Sequence, residues 1–166
     1  AELLRSLIDD FTVVPADLDE LSIEHSDHVE RAKLVAQAKA EAVAALHPDS
    51  CIIAADTFVL LNDKRLEKPS TADEGVAMLK QLSGNKAQVL TGVYWLNGSE
   101  REGSTVVSDI QFRELFPPEI ERYVSNRPVT AWAGSFSIKE TAGLALLSSI
   151  SGSITAVAGL PLEWIT

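Results

Sequence analysis

Leu3, Leu4, Leu7 and Ile8 recur at the spacing of one helical face, and that pattern predicts a first helix over residues 2–8. Residues 11–14 (Phe-Thr-Val-Val) then read as a short strand stopped by Pro15. The acidic stretch 16–26 predicts a loop, and Ser26 or Asp27 is placed to cap a long helix that runs to about Leu46, where His47-Pro48-Asp49 breaks it. Residues 51–55 and 58–61 predict two strands on either side of the polar pair Asp56-Thr57. After Pro69, Ser70 and Thr71 offer a cap, Asp73 and Glu74 an acidic first turn, and Val76, Met78, Leu79 and Leu82 an apolar face that ends at Ser83-Gly84. Residues 86–96 and 105–112 flank Asn97-Gly98, which supplies the positive φ angles of a two-residue turn and so predicts an antiparallel hairpin. Pro117-Pro118-Glu119 opens a short helix to about Val124. Residues 131–138 read as extended, 142–150 as helical, and the chain turns again at Gly152 and Gly159. There is no repeat, low-complexity tract or linker, and the pattern predicts one α/β domain with a mixed β-sheet flanked by helices.

Two charged positions depart from this pattern. In the run from Cys51 to Leu61, Asp56 and Thr57 are the only polar side chains, and burying an unpaired carboxylate costs several kcal/mol. Asp56 therefore needs a partner: nearby backbone N–H groups at a strand end, or a cation or water in a cleft where strand ends open. Lys39 is the second departure. The helical step of about 100° gathers Glu30, Lys33, Gln37 and Glu41 on one face and sends Lys39 to the opposite stripe of Ala32, Val35, Ala36, Val43 and Leu46. A lysine there either snorkels to water or meets an anion. Lys68 follows the second strand and precedes Pro69, which fixes the backbone direction. Glu20 closes the acidic loop, where a solvated side chain is the ordinary reading.

Composition narrows the classes. The 166 residues are 46% hydrophobic and 23% charged, enough to bury a core, and no apolar run approaches the roughly 20 residues of a membrane span. No basic-then-apolar leader opens the chain, so a soluble, cytoplasmic protein is expected. A formal net charge of −10 without a basic stripe argues against a nucleic-acid polymer as partner, though a small anion needs only a few local lysines and a metal ion. The single cysteine, Cys51, excludes an internal disulfide and reads as core filling. His25-x-x-His28 has no cysteine near it and reads as loop and helix start rather than zinc site. Phosphate-binding P-loop, dinucleotide-binding glycine-rich and serine-hydrolase elbow motifs are absent from the sequence. Trp95, Trp132 and Trp164 are scattered and read as core or interface residues, Trp132 also as a border of a base pocket.

In order along the chain stand Asp10-Phe11, Val14-Pro15-Ala16-Asp17 and Asp19-Glu20; Ala36-Gln37-Ala38-Lys39-Ala40; Ala55-Asp56-Thr57; Lys68-Pro69; Leu82-Ser83-Gly84; Thr91-Gly92-Val93; Phe112-Arg113; Glu119-Ile120 through Tyr123; Ala133-Gly134; and Gly159-Leu160-Pro161-Leu162. This succession resembles the Maf family of nucleoside triphosphate pyrophosphatases over nearly the whole length. The resemblance implies a single two-lobed α/β domain of the kind shared with inosine triphosphate pyrophosphatases, with a nucleotide in the cleft between lobes. It implies hydrolysis to a nucleoside monophosphate and pyrophosphate, with Asp56 as general base or metal ligand and Glu20 holding a divalent ion, Mg²⁺ or Mn²⁺. Lys39 and Lys68 would contact the triphosphate, Thr57, Trp132 and Lys139 would face the substrate, and two copies would form a homodimer.

The family's Ser-x-Ser-Pro-Arg-Arg loop and its C-terminal helix lie beyond the residues matched here, so the resemblance reads the domain as trimmed at both ends. Around the base the match is divided. Ala131-Trp132 stands where thymidine and uridine triphosphate enzymes carry Asp-Lys, and Lys139 where they carry Gln. Ala133-Gly134-Ser135-Phe136 resembles the branch acting on 7-methyl-GTP, and Asp56-Thr57 the thymidine and uridine branch. Non-standard purine triphosphates, and nucleotide binding without turnover, stay open as alternatives.

Overall fold

The computed structural model describes residues 2–166. Its elements are helix α1 (His28–Leu46), strands β1 (Ile52–Leu61) and β2 (Lys64–Leu66), helix α2 (Ala72–Leu82), strands β3 (Lys86–Asn97) and β4 (Glu100–Phe112), helices α3 (Pro117–Ser125) and α4 (Thr141–Leu144), strand β5 (Leu147–Ser151), and the short helices α5 (Ile154–Val157) and α6 (Leu162–Ile165). The strands form one sheet in the order β2-β1-β3-β4-β5, and the α/β class with a helix-flanked sheet is the one the sequence predicts. Pairs β1–β2 and β4–β5 are antiparallel. Among the described residues, no helix is long and apolar enough to cross a membrane.

The chain forms two compact units. The first comprises the residues up to Thr57, Leu90–Val107 and Thr155–Thr166; the second comprises Phe58–Val89 and Ser108–Ile154. In the first, Asp27 caps α1 by accepting the N–H groups of Val29 and Glu30. The helix then lays Ala32, Val35, Ala36 and Ala40, all fully buried, against the sheet. The run of small side chains allows a close approach, and Gly92 in β3 shows how close: a Cβ added there would lie 1.9 Å from the carbonyl oxygen of Ala32. Farther along α1, Ala36 and Ala40 join Ile52, Tyr94 and Leu96 in one apolar cluster.

In the second unit, Thr71 caps α2 through the N–H of Glu74, and Phe112 and Phe136 meet edge to face with ring centroids 5.1 Å apart. Ser83 Oγ, just past α2, accepts the N–H of Leu115 at 2.7 Å and so ties the helix end to the segment after β4.

Five local expectations are corrected. The predicted helix over 2–8 is only a 3-10 turn, Leu4–Ser6: Leu7 and Ile8 stay exposed, so no packing repays a longer helix. Residues 11–14 form no strand; Val13 is 63% exposed, and Arg5 lies over the ring of Phe11. The two strands predicted around Asp56-Thr57 are one continuous strand, because both polar side chains find partners without interrupting it. Residues 131–138 are not simply extended: Val129–Ala131 and Ala133–Ser135 are 3-10 turns, with Gly134 and Ser135 both at positive φ. The predicted helix over 142–150 ends at Leu144, and β5 instead pairs with β4, Ile150 opposite Ile110 and Ser149 opposite Gln111. Leu144 is exposed, while the ladder satisfies the backbone of 147–151.

Candidate active site

Lys39 lies on the buried stripe of α1, four and eight residues past Val35 and Arg31. Its Nζ donates to Asp56 Oδ1 on β1 at 2.8 Å and stands 2.8 Å from Glu20 Oε1. The side chains of Lys39 and Asp56 are only 18% and 11% exposed, against 44% for Glu20. Three groups singled out separately in the sequence thus meet at one ammonium. Burial pulls the pKa of Lys39 down, but the charge and hydrogen bond of Asp56, joined by those of Glu20, outweigh it and the net shift is upward. The stabilisation carried by the charged form is therefore complete below the ordinary lysine value of 10.5 and is lost only as pH rises through the higher folded value. At neutral pH Lys39 is an ammonium.

Glu20 is held from behind. It opens a 3-10 turn, Glu20–Ser22, capped by Asp19. Arg31, 2% exposed, donates Nε–H to the carbonyl of Ile23 at 2.9 Å and Nη2–H to that of Glu20 at 3.0 Å. Arg31 is no candidate from the sequence, although it stands on the same stripe as Lys39, and that placement is the one signal that points to it. Arg31→Met is expected to cost about 1.5–3 kcal/mol, the range for hydrogen bonds to a charged group. Thermal unfolding and amide exchange should show the loss concentrated over residues 19–24; unchanged protection there would mean that the loop is held by other contacts.

Asp56 and Thr57 are successive residues of a strand and so point to opposite faces. The hydroxyl of Thr57 lies 2.9 Å from Thr91 Oγ1, and Thr91, fully buried, donates to the carbonyl of Ala156 at 2.8 Å. A carbonyl only accepts, so the one proton of Thr91 goes to Ala156 and Thr57 must donate to Thr91. Thr57 is thereby tied to β3 and α5, and its oxygen faces any further partner as an acceptor alone. In the sequence Thr91 stands out only through its Thr-Gly-Val string.

Lys68, Trp132 and Lys139 belong to the second unit. Lys68 is exposed on the segment after β2, next to Glu67, whose carbonyl accepts the N–H of Gly134 at 3.3 Å. That bond brings the Lys68 segment beside the turn that follows Trp132. Trp132 is half-buried and Lys139 exposed. A cavity of about 450 Å³ in this unit is lined by Glu119, Arg122, Tyr123 and Arg127 among others, none of them a candidate site residue of the sequence. Cys51 is exposed, not core filling, and its Sγ accepts the indole N–H of Trp95 at 3.0 Å. His25 Nδ1 accepts the N–H of Asp27, so this histidine serves the start of α1.

Among the described residues, no group of three or more His, Cys, Asp or Glu side chains could hold a metal ion. The pair Glu20 and Asp56 still suits a hard cation of the Mg²⁺ type, which is bound through one or two carboxylates while waters and substrate phosphates complete its shell. Their oxygens already converge on a positive charge, that of Lys39.

The family profile described as Maf-like protein matches residues 1–166. A dTTP/UTP pyrophosphatase of Latilactobacillus sakei subsp. sakei (strain 23K) is 32% identical over 98% of this chain and 90% of the relative. Proteins of the same name are 37% identical in Syntrophus aciditrophicus (strain SB), over 98% of this chain and 80% of the relative, and 38% identical in Pyrococcus furiosus (strain ATCC 43587 / DSM 3638 / JCM 8422 / Vc1), over 92% and 80%.

Proposed function

Since the chain belongs to the Maf family, we propose that it hydrolyses a nucleoside triphosphate to the monophosphate and pyrophosphate, with dTTP and UTP as the preferred class. The observation that carries this reading is the convergence of Glu20 and Asp56 on Lys39, each at 2.8 Å. Water attack on the phosphorus next to a pyrophosphate leaving group calls for charge neutralisation and a positioned acceptor for the water's proton, more than for a protein nucleophile. Asp56, half-buried on a rigid strand, accepts that proton at a carboxylate oxygen. Lys39 carries positive charge into the same place, and Glu20, on its pinned turn, keeps the carboxylate count high enough for a divalent cation. When bound through Glu20 and Asp56, such a cation, Mg²⁺ or Mn²⁺, supplies screening of the phosphates and acidifies water.

The remaining assignments rest on family resemblance: Lys68 to the triphosphate, and Thr57, Trp132 and Lys139 to the nucleoside. A homodimer working in the cytoplasm is part of the same proposal. The test is a panel of dTTP, UTP, 7-methyl-GTP and ITP incubated with Mg²⁺ or Mn²⁺, with released pyrophosphate measured. The expected result is pyrophosphate from dTTP and UTP at rates well above the other two. Turnover of 7-methyl-GTP or ITP alone would reassign the substrate, and binding without release would reduce the protein to a nucleotide-binding domain.

A further inference from the structure

Lys39 is unusual in that one nitrogen engages both carboxylates proposed to bind a divalent cation. Its contacts to Asp56 Oδ1 and Glu20 Oε1 are equal at 2.8 Å, a hydrogen-bonded length for each. An ammonium has three donors and no acceptor, so two of the three point at these oxygens. The four-carbon stem that carries it has rotatable bonds throughout, which lets the charged end change partners without movement of α1. With Lys39 in place, the two carboxylates and the ammonium sum to one negative charge; without it they would sum to two. The fixed parts of the group do not share this freedom, because Asp56 is on β1 and the backbone of Glu20 is held by Arg31.

We propose that Lys39 is a built-in competitor for the divalent cation: without nucleotide its ammonium takes the position between Glu20 and Asp56, and the cation gains those oxygens only as the ammonium moves away. The inference rests on the reading of Glu20 and Asp56 as cation ligands. The nucleotide is what makes the exchange favourable, since its phosphate oxygens offer Lys39 new anionic partners as it leaves the carboxylates and complete the shell of the incoming cation. A lysine whose ammonium stood away from these carboxylates would have little effect on cation binding in the absence of phosphate, whereas one seated between them weakens it. Cation and nucleotide should accordingly bind together, with the bare cation held poorly.

The experiment measures Mn²⁺ binding to the whole chain without nucleotide, by calorimetry and by loss of the free-ion electron paramagnetic resonance signal. Lys39→Met keeps most of the stem and removes the charge, and it should bind Mn²⁺ about tenfold more tightly than the unaltered chain, as expected when one like charge is taken from beside a cation. Lys39→Gln, read in parallel with circular dichroism of both variants, guards against misfolding of either. Adding Asp56→Asn to Lys39→Met should abolish the gain. Equal or weaker Mn²⁺ binding in both folded Lys39 variants overturns the proposal, even where the unaltered chain releases pyrophosphate. Tighter binding in a chain that releases pyrophosphate from no nucleotide would uphold the exchange and overturn the pyrophosphatase reading instead.

Discussion

Asp56→Asn is expected to lower pyrophosphate release from the best substrate by about 10²–10⁴-fold, the range that a positioned acid–base group contributes. Asn keeps the shape of Asp and still offers an oxygen to Lys39 Nζ, so the β1 strand and its packing should survive. What disappears is the basicity needed to take a proton from water and one of the two negative charges facing the ammonium. Lys39 retains Glu20 as a charged partner at 2.8 Å and is not left alone in its half-buried place. The expected profile is therefore a large loss of kcat with a small change in Tm. Retention of the full rate would remove Asp56 from the mechanism, and a collapse of Tm would show that the charge mattered for folding more than for turnover.

Gly92→Ala should have the largest effect on stability of any single methyl group added to the first unit. The new Cβ would lie 1.9 Å from the carbonyl oxygen of Ala32 and 2.8 Å from the backbone nitrogen of Lys33, and neither atom belongs to a side chain that can swing aside. Helix α1 has to move off the sheet, at a cost of about 3 kcal/mol or more by the measure of overpacked cores. For a chain of this size that corresponds to a fall in Tm of roughly 6–12 °C. The same displacement acts on Arg31 and Lys39, which ride on α1, so activity should fall further than the unfolded fraction explains. Gly98→Ala is the contrast. It meets nothing within 4 Å and has only its positive φ of 60° to accommodate, a cost of about 1–2 kcal/mol. Equal melting of the two variants would show that α1 yields easily at Ala32.

Much of this arrangement could be read from the residues. Asp27 before a periodic run located α1 to within a residue, and Asn97-Gly98 marked the hairpin, although Asn97 still belongs to β3 and the two-residue loop is Gly98-Ser99, with the positive φ at Gly98 alone. Asp56 and Lys39 stood out because each violated the burial pattern of its own element, and they prove to be each other's answer. Violations are informative when two of them cancel. Expectation and structure part where the deciding partner is distant in sequence. Asp56-Thr57 looked like a break between strands because the ammonium and the hydroxyl that satisfy them come from α1 and β3. Residues 147–151 had apolar spacing that suited a helix, and only the free edge of β4 turned them into a strand. The apolar neighbours of Cys51 point to a core position, but it lies one residue before β1 begins and is exposed. Arg31 escaped notice because arginine at the start of a helix is ordinarily solvated, and nothing local announced the two carbonyls it meets.

The contact between Cys51 and Trp95 has a practical side. The protein carries one cysteine and three tryptophans, and one indole N–H points at the only thiol at 3.0 Å. Alkylating that thiol adds bulk to the sulfur that accepts the Trp95 N–H, and a change in intrinsic fluorescence is the expected readout of labelling at this single exposed atom. Cys51 stands five residues before Asp56, just before the strand that carries the carboxylate, so a label there lies on the same stretch of chain as the site, and its response to cation and nucleotide titrations is directly measurable.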